Sequence, residues 1–283
     1  LTSGVTVFAD RVDAVIDKPY LALGADLSPQ EQMTVLSLLG LSDINVDDYD
    51  IISITNADEH EYLDKYLDAS IIGTRALSSV LVVGKEAGNG IHVTTKNISY
   101  CTEGMYRNAL LTAGIEDADI TVAGPFSISG TAALVGAIKA YETMTGEEID
   151  DENLDAANDE LVLTGKLVED IGDSEKAEDL MALVKQEVAE NKLTSAEDIQ
   201  NVVDQACNQL DIQLSEENQK QIAELMKKIE GLDLDVDKLK DQAKDLYQKL
   251  EDLDFHVDKE SVGNFFTRII DAIVNFFQEL FGK

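Results

Sequence analysis

The residues able to do chemistry are few and widely spaced. The three histidines, His60, His92 and His256, share no ligand spacing, and no H-E-x-x-H pair exists, so they read as surface or internally satisfied side chains. The two cysteines, Cys101 and Cys207, lie far apart and form no C-x-x-C, which argues against a zinc or thioredoxin-type site. They read as two separate buried thiols, the alternative being one disulfide that clamps the two halves of the chain. Asp233, Asp235 and Asp237 imitate the opening of a calcium loop, but Lys238 takes the place of the required glycine and Lys244 that of the closing glutamate. No metal site is expected there; the alternation reads as a helix start with carboxylates favouring the dipole. Weak, nonspecific calcium binding is compatible with so acidic a chain. Gly84, Gly88 and Gly90 fall between two strands, not before a helix, and are turn glycines; no phosphate-binding G-x-x-x-x-G-K-[ST] occurs. Around Ser127 and Ser129 there is no G-x-S-x-G elbow. No catalytic residue and no cofactor are therefore expected, and the chain leans away from being an enzyme.

One segment has the form of a ligand site. Ile120–Ala123 reads as a strand, a Gly-Pro loop follows, and Ser129, Gly130 and Thr131 open a helix. Free backbone N–H groups at such a point can hold an anion, and Thr74 and Arg75, in the loop before the next predicted strand pair, could set a cation beside it. The competing reading is that Ser129 simply caps the helix and Arg75 makes a structural ion pair.

The charge balance excludes whole classes of partner. The chain of 283 residues carries 56 acidic against 22 basic side chains, a net −34. Nucleic-acid binding requires Lys and Arg to neutralise phosphates, so no nucleic-acid partner is expected, and anionic membrane surfaces are disfavoured for the same reason. Cationic partners, divalent ions and basic proteins remain open. The excess of acid is steeper after Gly146, where the predicted elements also change character.

Before Gly146 strands alternate with helices. Strands are expected at Tyr20–Gly24, Asp50–Thr55 and Ile120–Ala123, with a hairpin formed by Ser79–Lys85 and Ile91–Ile98 around Asn89-Gly90. Ser28, Pro29 and Glu31 form a helix start with a capping box; Asn56 is expected to cap a second helix, Thr102–Ala113 to be a third, and Ser129–Tyr141 a fourth. After Gly146 strand signals vanish, and helices are expected near 150–170, 175–191, 195–210, 215–230, 236–254 and 259–281, with starts at Ser174, Thr194 and Ser215. The fold class is α+β: a mixed sheet of about five strands with helices, followed by an all-helical half. The corresponding divisions are 1–9, a signal-peptide remnant ending in Val7-Phe8-Ala9 before Asp10; 19–146, the α/β part; 147–258, the helical part; and 259–283, an amphipathic terminal helix.

That last helix carries Phe265, Phe266, Ile269, Ile273, Phe276 and Phe277 at three- and four-residue steps. Burying one phenylalanine is worth about 1.5–3 kcal/mol, so the stripe is expected to dock on the helical half, to mediate self-association, or, with few basic residues to support it, to lie on a membrane. No run of about 18 apolar residues exists to span one.

Taken together, Glu59-His-Glu-Tyr-Leu63, Ile72-Gly-Thr-Arg-Ala-Leu-Ser-Ser79, Asn108-Ala-Leu-Leu-Thr-Ala-Gly114, Ser129-Gly-Thr-Ala-Ala-Leu134 and Ile138-Lys-Ala-Tyr-Glu142 resemble the YpuA-like secreted proteins of Gram-positive bacteria, a domain of unknown function. The resemblance runs from about Tyr20 to the phenylalanine-rich end. It implies export, an α/β first half and a helical second half; it implies no activity and assigns no role to the cysteine pair. The expectation is an extracellular or envelope-associated, non-enzymatic binding or interaction protein of unknown partner. The alternatives are a small-ligand or anion site, hydrolytic in its strongest form, at Thr74, Arg75 and Ser129–Thr131, and peripheral membrane attachment through the last helix.

Overall fold

A computed structural model describes residues 18–43 and 45–242. The chain divides into two units, one ending at Ala243 and one spanning Lys244–Lys283. The second unit, with the phenylalanine stripe Phe265–Phe277, His256 and the expected helix at 259–281, lies outside the described residues, as does the expected signal-peptide remnant.

Five strands form one mixed sheet: β1 (Tyr20–Gly24), β2 (Asp50–Ile54), β3 (Ser79–Gly84), β4 (Ile91–Ile98) and β5 (Ala118–Ile128), in the order β2-β1-β3-β5-β4. β1 and β2 are parallel, with Tyr20 opposite Asp50; β1 and β3 are antiparallel, with Ala22 opposite Val80. β3 and β5 are antiparallel and β5 and β4 parallel, so Val80 faces Val122 and Val93 faces Ile120.

This order corrects the expected hairpin. β3 and β4 are consecutive but not neighbours, because β5 lies between them. The turn chemistry itself is real: Asn89 donates its N–H to Glu86 O at 3.1 Å, and Gly88 and Gly90 take φ of 95° and 71°. It reverses the chain without pairing the arms. β4 instead reaches its parallel neighbour through the helix at Glu103–Thr112, the kind of crossover that parallel pairing demands. Beyond Lys96 the register slips at a bulge where Asn97 adopts φ 59° and donates its side-chain amide to Gly124 O.

The helices are α1 (Pro29–Leu38), α2 (Asn56–Leu63), α3 (Ala69–Ile72), α4 (Glu103–Thr112), α5 (Thr131–Thr145), α6 (Asp151–Ile171), α7 (Ser174–Asn191), α8 (Ala196–Gln209) and α9 (Glu216–Glu230), with a further helical stretch at 236–242. The α1 capping box and the cap at Ser215 form as expected, and Thr102, expected as the first residue of its helix, is its N-cap. Three expected caps shift by one residue, to Thr55, Asp173 and Ser195, because at each place the neighbouring side chain reaches the free N–H of the first turn. β5 runs on to Ile128, and α5 starts two residues later than expected, at Thr131. Its N-cap is Gly130, at φ 95°, and no side chain caps it, so Ser129 is not the cap.

Alternation along the strands divides the core. Leu21 and Ala123 face α1, meeting Val35, Leu39 and Leu41, whereas Ala22, Ile54, Val80 and Val122 face α5. α5 comes close to the sheet at Gly136, where a Cβ would lie 2.8 Å from that of Ala22. The same core continues into the helical half: Leu110 and Tyr106 of α4 join Ala157 and Leu161 of α6, and Leu239 closes the far end. α8 and α9 add amphipathic faces, Ile199, Val202, Val203 and Ala206 against Ile222, Leu225, Met226 and Ile229.

Candidate functional site

Where the α/β half passes into the helical half, three separate stretches enclose a cavity of about 920 Å³. The end of α4 and its loop contribute Leu111, Ala113 and Glu116; the α5–α6 connection and the first turn of α6 contribute residues 145 and 147–153; the loop after α9 contributes 231–235, with Lys238 and Leu239. Each stretch is placed by ordinary local physics. Gly114, at φ 93°, turns the chain out of α4, and Gly146, at φ 71°, ends α5 by donating its N–H to Glu142 O at 2.9 Å. Asp235 starts the 236–242 stretch by accepting from the N–H groups of Asp237 and Lys238 at 2.9 and 3.2 Å. This confirms the helix-start reading of the Asp233–Asp237 alternation.

The floor of the cavity is apolar and buried, made by Leu111, Ala113, Ile149 and Leu239. Its exposed lining is acidic: Glu147, Glu148, Asp150 and Asp151 come from the α5–α6 connection and the start of α6, and Asp233 and Asp235 from the loop after α9. Among the described lining residues the one basic side chain is Lys238, whose Nζ donates to both carboxylate oxygens of Asp117 at 2.6 and 2.8 Å. The walls thus carry a concentrated negative field over a greasy base, a combination suited to an organic cation. Among the described residues no group of three or more His, Cys, Asp or Glu is arranged to hold a metal ion.

The residues singled out for an anion site fall into two separate networks. Arg75 is tied to α1, donating to Asp26 O and Glu31 Oε2, each at 2.9 Å, while Thr74 beside it is exposed. The α5 start is engaged from within. Thr131 donates to Glu59 Oε1 at 2.7 Å, Asn56 donates to Glu59 Oε2 at 3.1 Å, and Ser129 Oγ lies 3.2 Å from Thr131 Oγ1. Gly130 O accepts from Tyr106 Oη at 2.6 Å. A Cβ on Gly130 would come within 2.5 Å of that hydroxyl, which with the positive φ explains the glycine. Glu59 is 1% exposed, and burial raises its pKa despite the hydrogen bonds from Thr131 and Asn56. The structure gives no contact between Arg75 and the Ser129–Thr131 segment.

A second polar group is sealed between α4, α6 and α7. Lys185 Nζ donates to Glu160 Oε1 at 2.9 Å, to Asn108 O at 3.0 Å and to Thr112 Oγ1 at 3.2 Å, and Thr112 in turn donates to Glu160 Oε2 at 2.5 Å. Burial pulls the Lys185 pKa below the usual lysine range, and the Glu160 carboxylate works against that pull. With both side chains fully buried, this cluster fastens the helical half to the α/β half and offers no access to a ligand.

His60 bonds Asp64 at 2.5 Å through Nδ1, and His92 lies 3.3 Å from Asp119; neither joins the cavity. Cys101 and Cys207 are both buried and unbonded, in agreement with two separate thiols. No helix among the described residues is long and apolar enough to cross a membrane. Sequence reasoning did not identify the cavity. Its acid-rich segments, Glu147-Glu148-Ile-Asp-Asp-Glu152 and Asp233-Leu-Asp235, are visible in the chain, but their convergence depends on tertiary packing.

Comparison with known proteins gives a consistent result. The profile of a family described as a protein of unknown function, DUF1002, matches residues 23–246. The chain is 39% identical over 271 residues to "Uncharacterized protein YpuA" of Bacillus subtilis (strain 168), covering 94% of this chain and 92% of that protein. No solved structure matches the chain.

Proposed function

This chain belongs to the DUF1002 family of proteins of unknown function, and from that premise we propose that it is an exported, non-enzymatic binding protein whose acidic cavity takes up organic cations. The observation that carries the reading is the cavity itself: about 920 Å³, with an apolar floor beneath an exposed carboxylate rim. That volume falls within the span of about 300–1,000 Å³ typical of small-ligand sites. The ligand that fits carries primary ammonium groups on an apolar stem, as in a polyamine or a lysine side chain. Its methylenes would cover Leu111, Ile149 and Leu239 while its charges meet the rim. Placement outside the cell or at its envelope is part of the same proposal; it rests on the Val7-Phe8-Ala9 pattern and the resemblance to secreted proteins.

The test is calorimetric titration with spermidine and, separately, with a short lysine peptide, which distinguishes a free polyamine from a basic chain segment. The expected result is saturable binding that disappears near 1 M salt, where the Debye length shrinks to about 3 Å. Neutralising the rim with Glu147→Gln, Glu148→Gln and Asp233→Asn should weaken binding about tenfold, taking roughly 0.5 kcal/mol per exposed charge. The same number of changes at exposed positions outside the cavity lining, Glu86→Gln, Glu197→Gln and Glu216→Gln, should leave it nearly unchanged. Equal weakening by both sets would mean a diffuse counterion atmosphere and would reject the cavity as a site, as would no binding of either probe.

A further inference from the structure

We infer that Asn89-Gly90 is a site of self-modification: the Gly90 nitrogen attacks the Asn89 side-chain carbonyl, Asp117 draws off its proton, and the chain acquires with time a new carboxylate at the head of β4. The inference concerns the turn between β3 and β4 and is independent of the cation-binding reading.

The sequence supplies the reactive pair once. Asn89-Gly90 is the one Asn-Gly in the chain. Every other asparagine is followed by a residue whose side chain crowds the next peptide nitrogen, and glycine has none. The pair lies in a turn, with Gly90 at φ 71° and with Glu86, Ala87 and Gly88 exposed ahead of it. Both residues are half-buried, so solvent reaches them.

The structure adds the contacts that the reaction needs. Gly90 N–H donates to Asp117 Oδ1 at 2.7 Å, and that carboxylate is fixed by Gly88 N–H at 3.0 Å and by Lys238. The attacking nitrogen therefore has an acceptor for its proton already in hydrogen-bond reach. Asn89 Nδ2 donates to Gly90 O at 2.9 Å, which folds the side chain over the peptide unit that would attack it; Asp119 Oδ1 and His92 Nδ1 lie 3.2 and 3.3 Å from the same nitrogen. In the reaction Gly90 N bonds to Asn89 Cγ, the Cγ–Nδ2 bond breaks, and Nδ2 leaves as ammonia with the proton that Gly90 gave up. One water then opens the five-membered imide at either carbonyl, leaving aspartate or isoaspartate at position 89.

The product changes the turn. A donor to Asp119 becomes an acceptor, so a hydrogen bond is replaced by a contact between like charges. Isoaspartate also adds one main-chain atom just before Gly90, whose carbonyl accepts from Ala118 N–H at 3.1 Å beside the first pair of the β4–β5 ladder, Ile91 with Ala118. β4 is an edge strand whose one sheet neighbour is β5. Its starting end therefore loosens as the chain ages.

The experiment incubates the folded full chain at neutral pH beside the same chain unfolded in guanidinium chloride, and reads conversion at position 89 by peptide mass mapping and released ammonia. Conversion should be confined to Asn89. It should run about tenfold faster in the folded chain, short of the roughly 10²–10⁴-fold of a well-placed general base, because Asp117 is already shared with Lys238 and two N–H groups. Asp117→Asn, checked by thermal melting, keeps an oxygen for the glycine N–H groups but is no base, so its folded rate should fall to that of the unfolded chain. Converted wild-type protein, like Asn89→Asp, should unfold at a lower urea concentration than fresh protein. A folded rate at or below the unfolded one would mean that the hydrogen bonds of the turn lock the amide, and would overturn the inference whatever the variants do. An unchanged folded rate in Asp117→Asn would equally overturn the role given to that carboxylate.

Discussion

The ammonium of Lys185 lies 2.9 Å from Glu160 Oε1, and neither side chain has any exposed surface. A charge pair withdrawn this completely is held in place mainly by what would follow from breaking it. Lys185→Met alone would strand the Glu160 carboxylate, with Thr112 as its remaining donor in this cluster, and should lower stability by about 3–5 kcal/mol in urea unfolding. Pairing it with Glu160→Leu should restore most of that loss, because apolar replacements fill the same space without a stranded charge. A double variant that loses as much as Lys185→Met and Glu160→Leu added together would show that the two charges are not coupled.

Glu59 predicts a pH dependence of the opposite kind from ordinary acid denaturation. Burial raises its pKa above the usual 4.5. Its contribution to stability is therefore complete below 4.5 and lost as pH rises through the raised folded value. Thermal melts of the wild-type chain and Glu59→Gln, recorded from neutral pH downward, should show the wild type gaining relative to the variant as pH falls through that window. A relative loss over the same range would place the carboxylate in a more polar setting than its contacts with Thr131 and Asn56 indicate.

The two thiols should be inert in the native protein. Burial pushes Cys101 up to about 12 and Cys207 up to about 11, so almost no thiolate exists at neutral pH. Alkylation by iodoacetamide should be negligible without denaturant and should reach both residues across the unfolding transition. Rapid labelling of either thiol under native conditions would show local opening, around the α4 start for Cys101 or in α8 for Cys207.

Gly130 should tolerate no side chain. Alanine there meets Tyr106 Oη and must adopt φ 95°, so Gly130→Ala should destabilise by about 3 kcal/mol, read as a fall in the urea midpoint. Combining it with Tyr106→Phe should relieve the clash but not the backbone strain.

Features set by neighbours in the chain were legible before the structure. The Ser28–Glu31 capping box, the helix starts near Ser174 and Thr194 to within one residue, the cap at Ser215 and the helix start at Asp235 all depend on atoms a few residues apart. Pairings between distant residues were not. Nothing local in Ser79–Gly84 says that its neighbour is residues 118–123 and not 91–98, because both are strands of suitable length with apolar residues at alternate positions. Arg75 finds Glu31 across 44 residues, and the cavity gathers segments beginning near 111, 147 and 231. An acidic run in sequence looks like a solvated surface until packing brings a second run opposite it.

The late arrival of β5 between β3 and the edge strand β4 has a consequence for how the chain is made. As it leaves the ribosome, Ile91–Ile98 has no sheet neighbour until Ala118–Ile128 has been synthesised and has wedged between two strands already present. Any chain stopped before that point exposes one open strand edge on each side of the gap, which is a state prone to self-association. Ribosome-arrested fragments ending before residue 118 should therefore depend on chaperones, and those extending past the α5 helix should not.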